Sequence, residues 1–124
     1  MKSTSAYYAH SMRKYNSGAE ADEFAFILDH FNGNVICPNK HLGELGSIEL
    51  YLKVIGTTSV VYASEYMNYV GRGVFDECAF ALSENIPVFV VRQDANNNYY
   101  LSYLLDIEKT ELPTLTFYGR LITE

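Results

Sequence analysis

Ser59-Val60-Val61-Tyr62-Ala63 and Pro87-Val88-Phe89-Val90-Val91 are two short apolar runs, and between them Val74, Cys78, Ala81 and Leu82 recur at helical spacing. Runs that are almost wholly apolar, rather than apolar at alternate positions, suit strands covered on both faces, as in a parallel sheet. A strand, a helix and a second strand in that order place the strands parallel, because the helix carries the chain back across the sheet.

The same alternation extends toward the N-terminus. Ala6-Tyr7-Tyr8-Ala9 reads as a first strand. Ser17-Gly18-Ala19-Glu20 has capping-box spacing, in which the Ser oxygen accepts from a free N–H and the Glu reaches back. Phe24, Ile27, Leu28 and Phe31 then mark one apolar helical face, closed by Asn32-Gly33-Asn34, with Gly33 available for a left-handed cap. Val35-Ile36-Cys37 is a second strand stopped by Pro38, and Leu45, Ile48, Leu52 and Ile55 give another helical stripe ending at Gly56. Beyond Asp94 the pattern changes: Tyr99 to Ile107 and Leu115 to Leu121 both read as extended, as a hairpin at a sheet edge, although Leu101 to Leu105 also fits a helical turn. The expectation is an α/β, flavodoxin-like or Rossmann-like three-layer sandwich. It has a mainly parallel five-stranded sheet and room for an extra C-terminal edge strand.

The chain has 124 residues, a length that fits one domain over 1–124 and buries a core without staples. Its net charge of −6 is unsuited to coating a nucleic acid polymer, where affinity comes from neutralising many phosphates. One small phosphorylated ligand needs only a local pocket of N–H groups and an Arg. Cys37 and Cys78 sit in apolar surroundings and in no CxxC or Cys/His spacing, so they read as buried free thiols rather than metal or redox groups. No secretory pattern precedes the first strand and no long apolar run follows. The expectation is a cytoplasmic protein with no membrane partner and no cofactor.

In open α/β sheets ligands bind beyond the carboxyl ends of the strands. After the first strand come His10, Ser11 and Arg13, and a Ser and an Arg two residues apart can grip a phosphate. His10 has the chemistry to protonate a leaving group, and equally a structural place. After the third strand the turn Gly71-Arg72-Gly73 leads into a helix, where glycines let backbone N–H groups approach a ligand. Glu77 is expected in that helix's first turn, held as an anion by the helix dipole. An ionised carboxylate is what attack on a sugar C1′ requires. Pro38 and Asn39 after the second strand, and Tyr66 and Tyr69 after the third, are candidates to touch or stack on a base. Ser64 and Glu65 compete for the position at the end of the third strand.

Tyr7-Tyr8-Ala9-His10-Ser11-Met12-Arg13 resembles the opening strand and loop of the nucleoside 2-deoxyribosyltransferase-like superfamily, often Tyr-Phe-x-Gly-Ser-x-Arg. Gly73-Val74-Phe75-Asp76-Glu77 is similar to its Gly-x-x-x-Glu, and Pro87 to Val91 fits the strand that follows. The resemblance spans roughly residues 6–92. It takes in the deoxynucleoside 5′-monophosphate N-glycosidases and, distantly, TIR-like NAD-cleaving domains. It implies that Glu77 is the nucleophile and Tyr7 positions it, and that Ser11, Arg13, Gly71 and Gly73 hold the 5′-phosphate. His10 and Ser64 would then lie at the substrate. It also implies a nucleotide-processing enzyme that is a homodimer or higher homo-oligomer. The chain departs from the family at His10, where Gly is usual, and around Ser64 and Glu65, where an acidic residue is common.

Two other readings use the same pocket: a module that binds or sequesters a nucleotide without turnover, and a TIR-type NAD or ADP-ribose glycohydrolase. Other α/β classes lack their marks, since there is no GxGxxG after a strand and no GxxxxGK[ST].

Overall fold

The computed structural model describes residues 4–43, 45–65, 70–104, 114–115 and 121–122. Strand β1 spans Ser5–Ala9, helix α1 Gly18–His30, β2 Asn34–Ile36, α2 Pro38–His41, α3 Ile48–Ile55 and β3 Val60–Ser64. Helix α4 spans Arg72–Ser83, and strands β4 Val88–Gln93 and β5 Tyr99–Leu104 follow. The sheet order is β2-β1-β3-β4-β5. The first four strands run parallel, with Tyr7 opposite both Ile36 and Val61, and Val61 opposite Val88. The fold is thus α/β with a mostly parallel five-stranded sheet closed by one antiparallel edge strand.

Every residue of β1 and β3 is buried, as their apolar character requires of strands covered on both faces. Their side chains alternate between two cores. Tyr7, Ala9, Val61, Ala63, Val88 and Val90 pack with Ile55 of α3 and with Val74, Cys78 and Ala81 of α4. Ala6, Tyr8, Val60, Tyr62 and Val91 pack on the other face with Ile27 of α1, Val35 and Cys37. No helix among the described residues is long and apolar enough to cross a membrane.

Local chemistry explains most boundaries. Ser17 caps α1, its side chain accepting from Glu20 N at 3.1 Å. Glu20 reaches back one residue further than a capping box does, to Asn16 N at 3.0 Å. Gly33 does not supply a left-handed cap: Phe31 closes α1 by donating its N–H to Ile27 O. Gly33 is needed for closeness instead, since a Cβ there would meet Phe31 at 2.8 Å and Thr4 O at 3.1 Å. Helix α3 starts at Ile48, so Leu45 lies outside it. Pro38 does not merely stop β2 but opens the short helix α2 at its first position, where its missing N–H costs nothing.

The edge hairpin is β4–β5, with Val91 opposite Leu101, rather than a pairing of the two C-terminal runs. Its turn is held by Asp94, whose carboxylate accepts from Asn96 N and Asn98 N, and by Asn97 at φ 64°. Leu101 is therefore strand, not a helical turn. The run expected as one strand from Leu115 to Leu121 contributes instead to two short strands, β6 (Thr114–Leu115) and β7 (Leu121–Ile122), paired antiparallel with each other.

On the α1 side lies a buried polar knot. The Glu23 carboxylate accepts from Tyr8 OH at 2.6 Å, Ser64 Oγ at 2.6 Å and Lys14 Nζ at 2.6 Å. Lys14 also donates to Ser64 Oγ at 2.7 Å, so the loop after β1 is bolted to α1 and to the end of β3. Removing one partner of a buried ion pair strands the other charge. Lys14→Met is expected to lose about 3–5 kcal/mol of stability in denaturant titrations. Adding Glu23→Gln should recover part of that loss; a double variant as unstable as the sum of the two singles would refute the coupling.

Candidate active-site cleft

Beyond the carboxyl ends of β1 and β2 a cleft of about 410 Å³ opens against the start of α4. It draws together Tyr7, His10, Ser11, Arg13, Pro38, Gly71, Gly73 and Glu77, all of them site residues expected from the sequence. Of the other described residues expected at the site, Ser64 and Asn39 do not line it. Ser64 is buried in the Glu23 knot. Asn39 turns its Oδ1 to the Cys37 thiol at 3.2 Å. Tyr66 and Tyr69 lie outside the described residues. Glu65, the acidic residue after β3, is paired with Arg92 at 2.7 Å.

The buried wall of the cleft is the pair Tyr7 and Glu77. Tyr7 faces the α4 side because it stands at an alternate position from Tyr8 in β1. Its hydroxyl donates to Glu77 Oε2 at 2.7 Å, and both side chains are buried. Glu77 is not in the first turn of α4, which begins at Arg72 and carries no acidic residue there. The helix-dipole support expected for it fades over that distance, and burial wins. Desolvation lifts the Glu77 carboxyl to about 7, against the lowering effect of the Tyr7 hydrogen bond and with Asp76 adding to the rise. Burial, and then the neighbouring Glu77, push the Tyr7 hydroxyl far above the usual phenol range, so it remains a donor.

The mouth is built by the loop after β1 and the start of α4. Ser11 Oγ accepts from Arg13 N at 3.1 Å, capping a single 3-10 turn over Met12–Lys14. This holds Arg13 at the cleft while Lys14 turns inward. Gly71 is the N-cap of α4 and offers no side-chain cap, so the first N–H groups of the helix have no side-chain partner from it. A Cβ at Gly71 or Gly73 would meet nothing within 4 Å. Neither glycine is therefore required by the fold's own packing, and the open space belongs to the cleft.

The His10 ring meets three groups. It stacks on Tyr8 at 3.8 Å, Nδ1 donates to Tyr8 O at 3.0 Å, and Nε2 meets Glu20 Oε2 at 2.6 Å. The ring therefore serves structure, and the leaving-group role is not favoured by this geometry. Sequence reasoning missed Tyr15 and Tyr51, which also line the cleft. Both lie outside any strand, in the excess of tyrosines that was the only available signal. Burial, and then Glu77, raise Tyr15 to about 12, so its hydroxyl stays protonated. In the described part of the cleft no metal-ligating trio converges; His10, Glu20 and Cys37 do so on its α1 side.

Neither family models, nor curated proteins, nor solved structures give a match to this chain.

Because Glu77 binds its proton more tightly folded than its ordinary value of 4.5 allows unfolded, the folded state holds the extra proton between about 4.5 and 7. Stability falls as pH rises through that window, by an amount on the order of 3 kcal/mol at most. Glu77→Gln, which keeps the Tyr7 hydrogen bond without the charge, should melt above the wild type at pH 8 and level with it at pH 4.5. Equal melting temperatures at both pH values would show that Glu77 carries no buried charge.

Proposed function

We propose that this protein cleaves or transfers at the N-glycosidic bond of a (deoxy)nucleoside 5′-monophosphate, with Glu77 as the nucleophile. The observation that carries this reading is the buried Tyr7–Glu77 pair in the wall of a cleft with a cationic, amide-bearing mouth. The resemblance to the nucleoside 2-deoxyribosyltransferase-like superfamily supports it through the same residues. So does the size of the cleft, which falls in the range of small-ligand sites.

In this reading the Glu77 carboxylate attacks C1′ while the C1′–N bond breaks and its electron pair leaves with the base. The glycosyl ester is then resolved by water, giving hydrolysis, or by a second base, giving transfer. Tyr7 fixes the carboxylate and favours its anion. The 5′-phosphate sits at Ser11, Arg13 and the first N–H groups of α4, and the base lies toward Tyr15 and Tyr51. No metal or organic cofactor takes part. A flavodoxin-like doubly wound arrangement, a cytoplasmic setting and a homo-oligomer belong to the same reading. Met12, 76% exposed at the rim, is the apolar surface a second subunit would cover.

The test is base release from ribo- and deoxyribonucleoside 5′-monophosphates, free nucleosides and NAD, followed by chromatography. Glu77→Ala should lose at least about a thousandfold in kcat. Arg13→Ala should raise KM for monophosphates by about ten- to a hundredfold, the worth of one charge-assisted hydrogen bond, and leave free nucleosides unaffected. No release from any substrate, with a thermal shift by one nucleotide, would replace the enzyme with a binding module. Nicotinamide release from NAD would move it to the TIR type.

The pH profile gives a separate check. Wild-type kcat should rise with pH through about 7 as Glu77 ionises. Tyr7→Phe removes the hydrogen bond that favours the anion, so its rising limb should lie at higher pH. A limb that stays in place would remove Tyr7 from the mechanism.

A further inference from the structure

His10, Glu20 and Cys37 come from the end of β1, the first turn of α1 and the end of β2. Their donor atoms lie within 4.8 Å of one another, and all three residues are buried. No spacing in the sequence announces this, because the three segments meet only through the parallel sheet. A simple ion pair accounts for His10 with Glu20 but does not account for the thiol placed beside them.

The surroundings of the trio are those of a metal site's supporting shell. A metal-binding imidazole typically fixes its tautomer by donating its other N–H to a carbonyl. Here His10 Nδ1 donates to Tyr8 O at 3.0 Å, which leaves Nε2 facing Glu20 and Cys37. Glu20 has one oxygen anchored by Asn16 N, and the other is directed into the cluster. Asn39 stands at the fourth side, its Oδ1 at 3.2 Å from Cys37 Sγ. Its amide nitrogen is a buried donor with no hydrogen-bond partner among the described residues. Turning that amide would point an N–H at a thiolate sulfur and the need would be met.

We propose that His10 Nε2, Glu20 Oε2 and Cys37 Sγ bind one divalent transition-metal ion of the zinc type, with Asn39 or water completing a tetrahedron. Nitrogen, oxygen and sulfur donors together suit a borderline ion rather than magnesium or calcium. Bonds of about 2.0–2.3 Å put tetrahedral donors roughly 3.3–3.8 Å apart, so the His10–Glu20 contact must open by about 1 Å. On binding, the Cys37 thiol proton and the His10 Nε2 proton leave to solvent, and no redox step is involved. The ion staples the loop bearing Ser11 and Arg13 to α1 and to the Pro38 turn, fixing two walls of the cleft from behind its His10 edge. The site is independent of the proposed activity.

The test is cobalt(II) titration of the metal-stripped full-length protein, read by absorption. Equimolar uptake with a thiolate-to-cobalt charge-transfer band and the visible bands of a tetrahedral ion is expected. The band should vanish in Cys37→Ser and persist in Cys78→Ser, whose thiol lies in α4. No stoichiometric uptake by the wild type, or a band that survives Cys37→Ser, overturns the site. Should Cys37→Ser fail to fold, X-ray absorption at the zinc edge of the wild type decides. One sulfur among nitrogen and oxygen neighbours supports the site, and a shell without sulfur refutes it.

Discussion

Tyr7 and Tyr8 are neighbours in β1, an inner strand of the sheet, and their side chains leave it in opposite directions. Each hydroxyl is buried and must find an acceptor, and each finds a glutamate on the helix covering its own face. Tyr7 reaches Glu77 of α4 at 2.7 Å, and Tyr8 reaches Glu23 of α1 at 2.6 Å. The two pairs look alike and differ in what surrounds them. Glu23 also accepts from Lys14 and Ser64, so its charge is neutralised and its lone pairs are filled. Among the described residues Glu77 accepts a hydrogen bond from Tyr7 alone, with Asp76 working against it. One glutamate is therefore a structural bolt, and the other is a carboxylate held at the edge of ionisation beside open space. Buried carboxyls left in that condition are where chemistry is expected, because only function repays the lost stability.

The bolt on one face shapes the cleft on the other. Lys14 is drawn inward to Glu23 and Ser64, and His10 is drawn to Glu20 and stacked on Tyr8. Between these two anchors only Ser11, Met12 and Arg13 are left to face the cleft. A loop of this length with both ends pinned has few conformations to lose on binding, which is the physical meaning of preorganisation. His10 fits the same logic. The imidazole, stacked on Tyr8 and held at Tyr8 O and Glu20, props the loop from behind.

The parallel sheet was legible because its strands are apolar at nearly every position, and the helices because their stripes recur at 3.6 residues. The Tyr7–Glu77 pairing was legible only through a resemblance, since seventy positions separate the two residues and no local rule connects them. Local rules also misplaced details that tertiary contacts decide. Gly33 read as a cap, yet Phe31 closes the helix and the glycine answers to crowding by Phe31 and Thr4. Glu77 read as a first-turn anion, yet the helix begins early enough to put it in the second turn, where desolvation outweighs the dipole. Ser64 read as a ligand contact, yet alternation along β3 turns it to the Glu23 side. The errors share a limit: sequence spacing suggests an element, but its exact ends and the neighbours of each residue are set by tertiary contacts.

For an acidic chain to hold a phosphate, as proposed, its positive charge needs to be local rather than general. Arg13 and Arg72 both border the cleft, and Arg72 is paired with Asp76 across one helical turn at 3.3 Å. That pair is largely exposed and is worth little. It therefore restrains the guanidinium without consuming its capacity, and a phosphate at the α4 N-terminus, offered two N–H rows and a fuller charge, competes for it on favourable terms. Asp76 then acts at two distances. Close to Arg72 it keeps a cation at the mouth, and beside Glu77 its charge raises that carboxyl. Drawing Arg72 toward a bound phosphate would carry positive charge away from Asp76. Under the proposed reaction Glu77 must ionise against Asp76, and the Tyr7 hydroxyl, with the positive centre that would develop at C1′, favours its anion.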